Sequence, residues 1–243
     1  MRRPSAPATA PRQHTVPPRR IGVVADSHVG EYLDALPPAV FDALAGCELV
    51  LHAGDISVPR VLDELARIAP VVAVRGDHDR LGDLALPETA VVSFGELRIG
   101  LVHGKRALAI DSAVITAHVV AGRRIGWRAG LHQALVRRMG PVDCIVYGHW
   151  HEPALERVGR TLVFSPGAVC PWGSLEGGRP MGRGLQGLAD WGVRRYRRQL
   201  GAEAMRPSVG VLELSGSGIA ARVVPLDGSA GAPGRSRPEG APP

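Results

Sequence analysis

Ile21-Gly22-Val23-Val24-Ala25-Asp26-Ser27-His28 runs from an unbroken apolar stretch of strand length straight into an acid and a histidine. Such a run suits a strand buried on both faces, with Asp26 at its carboxyl edge. The pattern recurs at Glu48 to His52, which leads into Gly54-Asp55, and at Val71 to Val74, which leads into Gly76-Asp77-His78-Asp79. Between these runs, Leu36 to Leu44 and Val58 to Ile68 carry apolar residues at helical spacing. The order β-α-β-α-β predicts an α/β fold with a parallel sheet. In such sheets a ligand site lies beyond the carboxyl ends of the strands, which is where each of these acids falls.

Further along, Ala90 to Ser93 and Leu97 to Val102 flank Gly95-Glu96 as a hairpin, and the second run ends at His103-Gly104. Asp143 to Tyr147 reads as a short strand ending at Gly148-His149-Trp150-His151. Leu155 to Val158 pairs with Thr161 to Phe164 across Gly159-Arg160, and Val209 to Leu214 with Ile219 to Val224 across 215–218. Leu131 to Met139 and the stretch around Trp191 to Arg198 are expected to be helical. No solenoid repeat is present.

A chain of 243 residues with 45% hydrophobic content can bury one substantial core. One domain is expected over 19–227, with Pro/Ala-rich basic residues 1–18 and Gly/Pro/Ser/Arg-rich residues 228–243 as disordered tails. No apolar run in the first 20 residues is long enough for a signal core or a membrane span, so a cytoplasmic protein without membrane contact is expected. Cys47, Cys144 and Cys170 lie far apart with no CxxC spacing, which disfavours disulfides and thiolate zinc. The net charge of +6 conceals an asymmetry. Residues 21–104 hold thirteen acids against five Arg, whereas residues 105–140 hold seven Lys or Arg against one Asp and 179–206 seven Arg against two acids.

Carboxylate oxygen and imidazole nitrogen together form a ligand set for Mn, Fe, Zn or Ni, and two such ions can clamp both oxygens of an in-line displacement at phosphorus. Taken in order, the segments resemble the calcineurin-like metallophosphoesterases, specifically the small bacterial and archaeal phosphodiesterase branch. That family's DxH, GD, GNHD, HG and GHxH elements are similar to DSH at 26–28, GD at 54–55, GDHD at 76–79, HG at 103–104 and GHWH at 148–151. Ser165-Pro166-Gly167-Ala168 stands where the family has Asn-Pro-Gly-Ser. The resemblance covers about residues 21–175 and implies a two-sheet αββα sandwich.

It further implies a hydrolase that takes two divalent ions, with Mn favoured and Fe, Ni, Zn or Mg as alternatives. Asp26, His28 and His151 would hold the first ion, Asp77, His103 and His149 the second, and Asp55 would bridge them. A bridging hydroxide would attack the phosphoester, preferentially a diester, in line. His78 would act near the leaving group as general acid or charge stabiliser, with Asp79 orienting its imidazole.

Two features depart from the family pattern. Asp77 stands where the family has a neutral Asn, which adds a charge to the site and favours either tighter metal binding with weaker electrophilic activation or a preference shifted toward harder ions such as Mn or Mg, with lost activity as a third outcome. His103 and His149 are 46 positions apart, about twice the family's usual gap, so 105–140 contains an insertion; 179–206 is another. The Arg residues of both insertions read either as solvated faces or as an electrostatic funnel for a nucleotide or nucleic acid. A non-catalytic scaffold, such as the retromer subunit of this fold, and a nucleic-acid-binding module are the alternative functions. Oligomeric state is left open. His52 is expected to hydrogen-bond behind the site rather than ligate, His118 and His132 to be ordinary histidines, and Trp150 to wall or shield the site.

Overall fold

Three short apolar strands pair in parallel and set the frame for everything else. The computed structural model describes residues 19–81, 85–121, 127–172, 174, 195–216 and 218–226; both expected tails, and 179–194 of the second insertion, lie outside the described residues. Strand β1 (Arg19–Val24) pairs with β2 (Leu49–His52), and β2 with β3 (Val71–Ala73). Val24 lies opposite His52 and His52 opposite Ala73, so the residues that follow all leave the sheet at one edge. Helices α1 (Pro38–Leu44) and α2 (Arg60–Ala66) make the crossovers, and their Val40, Leu44, Val61 and Leu65 pack with Val24 and Val50 on one face. Gly22 permits this closeness: a Cβ there would meet Leu44 Cδ2 at 2.9 Å.

The second half builds a second sheet. Strands β4 (Thr89–Phe94) and β5 (Leu97–Val102) form the expected hairpin across Gly95-Glu96. β5 is followed by α3 (Leu108–Ala121) and α4 (Trp127–Met139), then β6 (Cys144–Val146), β7 (Pro153–Val158) and β8 (Thr161–Pro166). Antiparallel β9 (Ser208–Ser215) and β10 (Gly218–Pro225) return to the first sheet beside β1. The sheet orders are β10-β9-β1-β2-β3 and β4-β5-β6-β8-β7.

Strand alternation sorts the apolar side chains into three layers. Ile21, Val23, Leu51, Leu101, Val146, Phe164 and Leu212 meet between the sheets. Outside them, α1 and α2 cover the first sheet, while Leu131 and Leu135 of α4 cover Val102, Ile145 and Val163 of the second. Each such fully buried side chain contributes about 1.5 to 3 kcal/mol of transfer free energy. The result is an α/β two-sheet sandwich with helices outside.

Helix α3 has no counterpart in the sequence periodicity. Its run Leu-Ala-Ile-Asp-Ser-Ala-Val-Ile-Thr-Ala-His-Val-Val-Ala is mostly apolar and rich in β-branched residues, so no clear 3.6-residue stripe marks it. Val114 and Ile115 pack toward the second sheet, whereas Ile110 and Val120 stay exposed. Cys47, Cys144 and Cys170 are buried free thiols. Among the described residues no helix is long and apolar enough to cross a membrane.

Candidate metal centre

Beyond the strand ends the backbone turns through an unusual conformation at the chemically important residues. Asp26, His28, Asp55, Ser57, His149 and His151 are the non-glycine residues with positive φ among those described, between 46° and 73°. A left-handed residue with a Cβ costs about 1 to 2 kcal/mol, and such strain concentrates at functional sites. Here it solves a geometric problem. His149 and His151, two apart, would face opposite sides of a regular strand; left-handed turns at both bring each ring into the site.

Two side-chain clusters result. Asp26, His28 and His151 have one potential ligand atom each within 4.8 Å of one another, and so have Asp55, His103 and His149. Asp55 Oδ2 lies between the clusters, 3.5 Å from His28 Nε2 and 3.3 Å from His103 Nε2. Asp77 Oδ2 lies 3.4 Å from His149 Nδ1 and 4.0 Å from His103 Nε2, which places it beside the second cluster. The seven residues expected as ligands are thus brought to one edge of the sandwich. Gly76 stands over Asp55 so closely that a Cβ would overlap the Asp55 amide and Oδ1.

The imidazoles are oriented from behind. His103 Nδ1 donates to Ala53 O at 2.8 Å, His151 Nδ1 to Cys170 O at 2.6 Å, and His28 Nδ1 to Glu31 Oε2 at 3.2 Å. Each leaves Nε2 turned inward, the arrangement by which proteins fix the tautomer of a metal-binding histidine. His28 Nε2 and His151 Nε2 then face each other at 3.3 Å as lone pairs, and His103 Nε2, buried, faces the Asp55 carboxylate at 3.3 Å. Opposed lone pairs, and an inward imidazole whose proton a carboxylate holds, fit a cation between them. The donor set of carboxylate and imidazole fits a borderline or harder divalent ion.

The charges agree. Burial opposes ionisation of Asp55, but His103 and His28 beside it, and the His78 N–H on Oδ1 at 2.9 Å, hold the carboxyl well below the usual range. Burial also disfavours a charged His103, yet the Asp55 carboxylate pushes it up to about 9. A proton therefore sits on His103 in the ion-free protein, where a divalent cation would replace it. Burial lowers His149 to about 4, helped by the His103 charge, and lowers His151 too. Burial raises Asp26, whose two oxygens each accept the His149 N–H at 2.9 Å.

A family model for the calcineurin-like phosphoesterase superfamily domain matches residues 20–180. The chain belongs to this superfamily. A probable metallophosphoesterase of Methanothermobacter thermautotrophicus is 31% identical over 61% of this chain and 76% of its own length. A probable metallophosphoesterase of Methanocaldococcus jannaschii is 33% identical over 64% of this chain and 72% of its own. Among solved structures, Vacuolar Protein Sorting 29 from Cryptosporidium parvum aligns with a TM-score of 0.55 at 18% identity, over 86% of this chain and 97% of that one. A predicted phosphoesterase of Streptococcus pneumoniae aligns with a TM-score of 0.51 at 19% identity, over 87% and 92%. These two likenesses show the shared two-sheet fold.

Within this phosphoesterase, one expected partnership is replaced. Asp79, expected to orient His78, is buried and accepts four backbone N–H groups: Ile56 at 2.7 Å, Ser57 at 2.8 Å, Gly76 at 2.7 Å and Asp55 at 3.0 Å. The 3₁₀ turn at His78–Leu81 sends the two neighbouring side chains apart. The carboxylate on His78 Nδ1 is Glu31, at 2.8 Å. His52 lies behind the site, bonded to Ser27 Oγ at 3.1 Å, and burial lowers it to about 4. His132 is buried between Tyr147 and Glu156, and His118 is buried as well. Trp150 is buried in the core under α4 and meets the His149 ring edge-on, with centroids 5.2 Å apart, so it shields the site from behind rather than walling a pocket. Ser165 to Ala168 forms the exit from β8, after which Val169 and Cys170 bond back to Ala25 and Asp26.

Sequence reading missed Glu31, Lys105 and Asp111. The Lys105 ammonium pairs with Asp77 Oδ1. Asp111, in the first turn of α3, holds Arg106 at 2.7 Å and comes within 3.7 Å of His149 Nε2. A cavity of about 480 Å³ opens beside Asp77 and His103, lined by Arg75, Lys105, Arg106 and Arg138 together with Glu88 and Leu135.

Proposed function

We propose that this chain is a binuclear, metal-dependent phosphodiesterase. The observation that carries this reading is the position of Asp55 Oδ2, within 3.5 Å of imidazole nitrogens from both clusters. One shared carboxylate is what two ions about 3.5 to 4 Å apart require. Asp26, His28 and His151 would hold the first ion and Asp77, His103 and His149 the second, with Mn favoured. The ions, when bound, supply Lewis-acid polarisation of a phosphoryl oxygen and make water a nucleophile at neutral pH.

The chain's own groups do the rest. The fixed tautomers keep three Nε2 atoms directed inward, so little reorganisation accompanies binding. His78 uses Nδ1–H for Glu31; in its doubly protonated form it carries a second proton on Nε2, which it can give to the departing alkoxide as the phosphorus–oxygen ester bond breaks, leaving the neutral ring still hydrogen-bonded to Glu31. The cations of the adjoining cavity suit an anionic remainder of the substrate, such as a nucleotide. Three buried thiols without a disulfide fit a reducing cytoplasm.

The scaffold reading has one observation in its favour: an ammonium already occupies Asp77 Oδ1. Its other oxygen still faces His149 and His103. The test is a Mn-supplemented comparison of bis(p-nitrophenyl) phosphate with p-nitrophenyl phosphate. A higher kcat/KM on the diester is expected; monoester preference would overturn the diesterase assignment, and an inert protein would leave the scaffold.

A further inference from the structure

Glu31 touches two imidazoles at once. Its Oε1 accepts from His78 Nδ1 at 2.8 Å, and its Oε2 accepts from His28 Nδ1 at 3.2 Å and from Ser57 Oγ at 3.1 Å. The His28 and His78 rings meet edge-on, with centroids 4.6 Å apart and planes at 86°. Glu31 itself is held in the turn that follows β1, where the Glu31 and Tyr32 amides both donate to His28 O, at 3.2 and 3.0 Å. One turn therefore supplies both the histidine of the first cluster and the carboxylate that orients it.

The two contacts have a shared chemical effect. A carboxylate accepts only, so each imidazole must offer it an N–H through Nδ1. That choice leaves both Nε2 atoms as the working nitrogens. For His28, Nε2 faces Asp55 Oδ2 and His151 Nε2. For His78, whose side chain is 36% exposed, Nε2 is the atom left for solvent or substrate. Asp79 cannot serve this purpose, because its two oxygens are taken up by four backbone amides.

We propose that Glu31 is a positioning residue that sets the tautomer of His28 and, by holding Nδ1–H, the orientation of His78, so that the Nε2–H of the doubly protonated His78 ring meets the leaving oxygen in register with the metal centre. The proposal rests on the phosphodiesterase reading above. Its consequence falls on leaving groups that need a proton. Phenoxide is a much poorer leaving group than p-nitrophenoxide, so only its departure depends strongly on a well-placed acid.

The test uses full-length, Mn-loaded Glu31→Gln against methyl phenyl phosphate and methyl p-nitrophenyl phosphate, with metal content measured on the same samples. A glutamine keeps the shape but can accept from only one side while its amide group opposes the other imidazole N–H. At saturating Mn the kcat for the phenyl ester is expected to fall by about 10- to 100-fold, several-fold more than for the nitrophenyl ester, with KM unchanged and the sites still filled, although Mn affinity weakens. In a His78→Ala background, adding Glu31→Gln should leave the ratio between the two esters unaltered.

Equal losses on both esters would overturn the proposal, as would a further change of ratio in the His78→Ala background. Failure of saturating Mn to refill the sites of Glu31→Gln would also overturn it. That result would make Glu31 a ligand within the group His28, Glu31 and His78, whose potential ligand atoms lie within 4.8 Å. Wild-type protein inert on both esters would instead sink the phosphodiesterase reading, and this proposal with it.

Discussion

Replacing Asp79 with Asn separates a structural role from a catalytic one. In the native protein Oδ1 accepts from Ile56 N and Ser57 N, and Oδ2 from Asp55 N and Gly76 N, all at 3.0 Å or less. An asparagine keeps one acceptor oxygen and sets its amide group against the other two donors. A buried donor left without a partner costs about 1 to 3 kcal/mol. Two of them, after local relaxation, should destabilise the fold by roughly 3 kcal/mol. For a domain of this size that corresponds to about 6 to 12 °C in Tm. Asp79→Ala strands all four donors and should reach the exceptional range above about 4 kcal/mol. Urea unfolding of the ion-free proteins at neutral pH measures both. An Asp79→Asn midpoint equal to wild type, combined with selective loss on poor leaving groups, would refute this reasoning and return Asp79 to the role of orienting His78.

The remaining expectations concern charge. His52 and His149, lowered to about 4 chiefly by burial, are neutral when folded and protonated when unfolded below about pH 6.5, so ion-free stability should rise with pH across that window. His103, raised to about 9 by Asp55, contributes stability that is complete below about pH 6.5 and lost as pH climbs through 9. A stability maximum near pH 6.5 to 7 is expected from urea midpoints across pH; a monotonic profile would contradict it. Lys105→Met frees Asp77 from its ammonium partner and should tighten divalent-ion binding about tenfold, the part of a roughly 4 kcal/mol Coulomb interaction that survives at a half-exposed pair. Titration calorimetry reads this directly, and unchanged or weaker binding would show that the pair does not compete with the ion.

Much of this protein is legible in its sequence for a physical reason. Apolar runs with periods of two and 3.6 residues report burial, and the Asp or His closing each run lands at the carboxyl edge because the strands pair in parallel. Asp26, Asp55, Asp77 and His103 are therefore legible as neighbours from the ends of their apolar runs alone. Residues in irregular loops carry no such period. Glu31 enters the site through a turn, and only its spacing of three from His28 hints at contact. Asp79, which the family resemblance implies as the partner of His78, instead accepts backbone amides because the 3₁₀ turn sends the two side chains apart. Helix α3 escaped because a mostly apolar, β-branched run shows no clear stripe; packing of Val114 and Ile115 decides its conformation. The left-handed turns at His149 and His151 are likewise invisible to pattern, since the strain is sustained by tertiary contacts such as the Cys170 carbonyl on His151.

If Asp55 joins two metal ions that together support phosphodiester hydrolysis, ion stoichiometry and turnover must rise and fall together. The most direct measurement counts ions and turnover together: Mn titrated into ion-free wild-type protein and into Asp55→Ala, with bis(p-nitrophenyl) phosphate hydrolysis followed at each addition. Wild type should bind two ions per chain, with activity appearing only as the second site fills, and Asp55→Ala should bind fewer ions and lose activity by orders of magnitude. A single ion sufficient for full turnover, or an Asp55→Ala protein as active as wild type, would contradict the account.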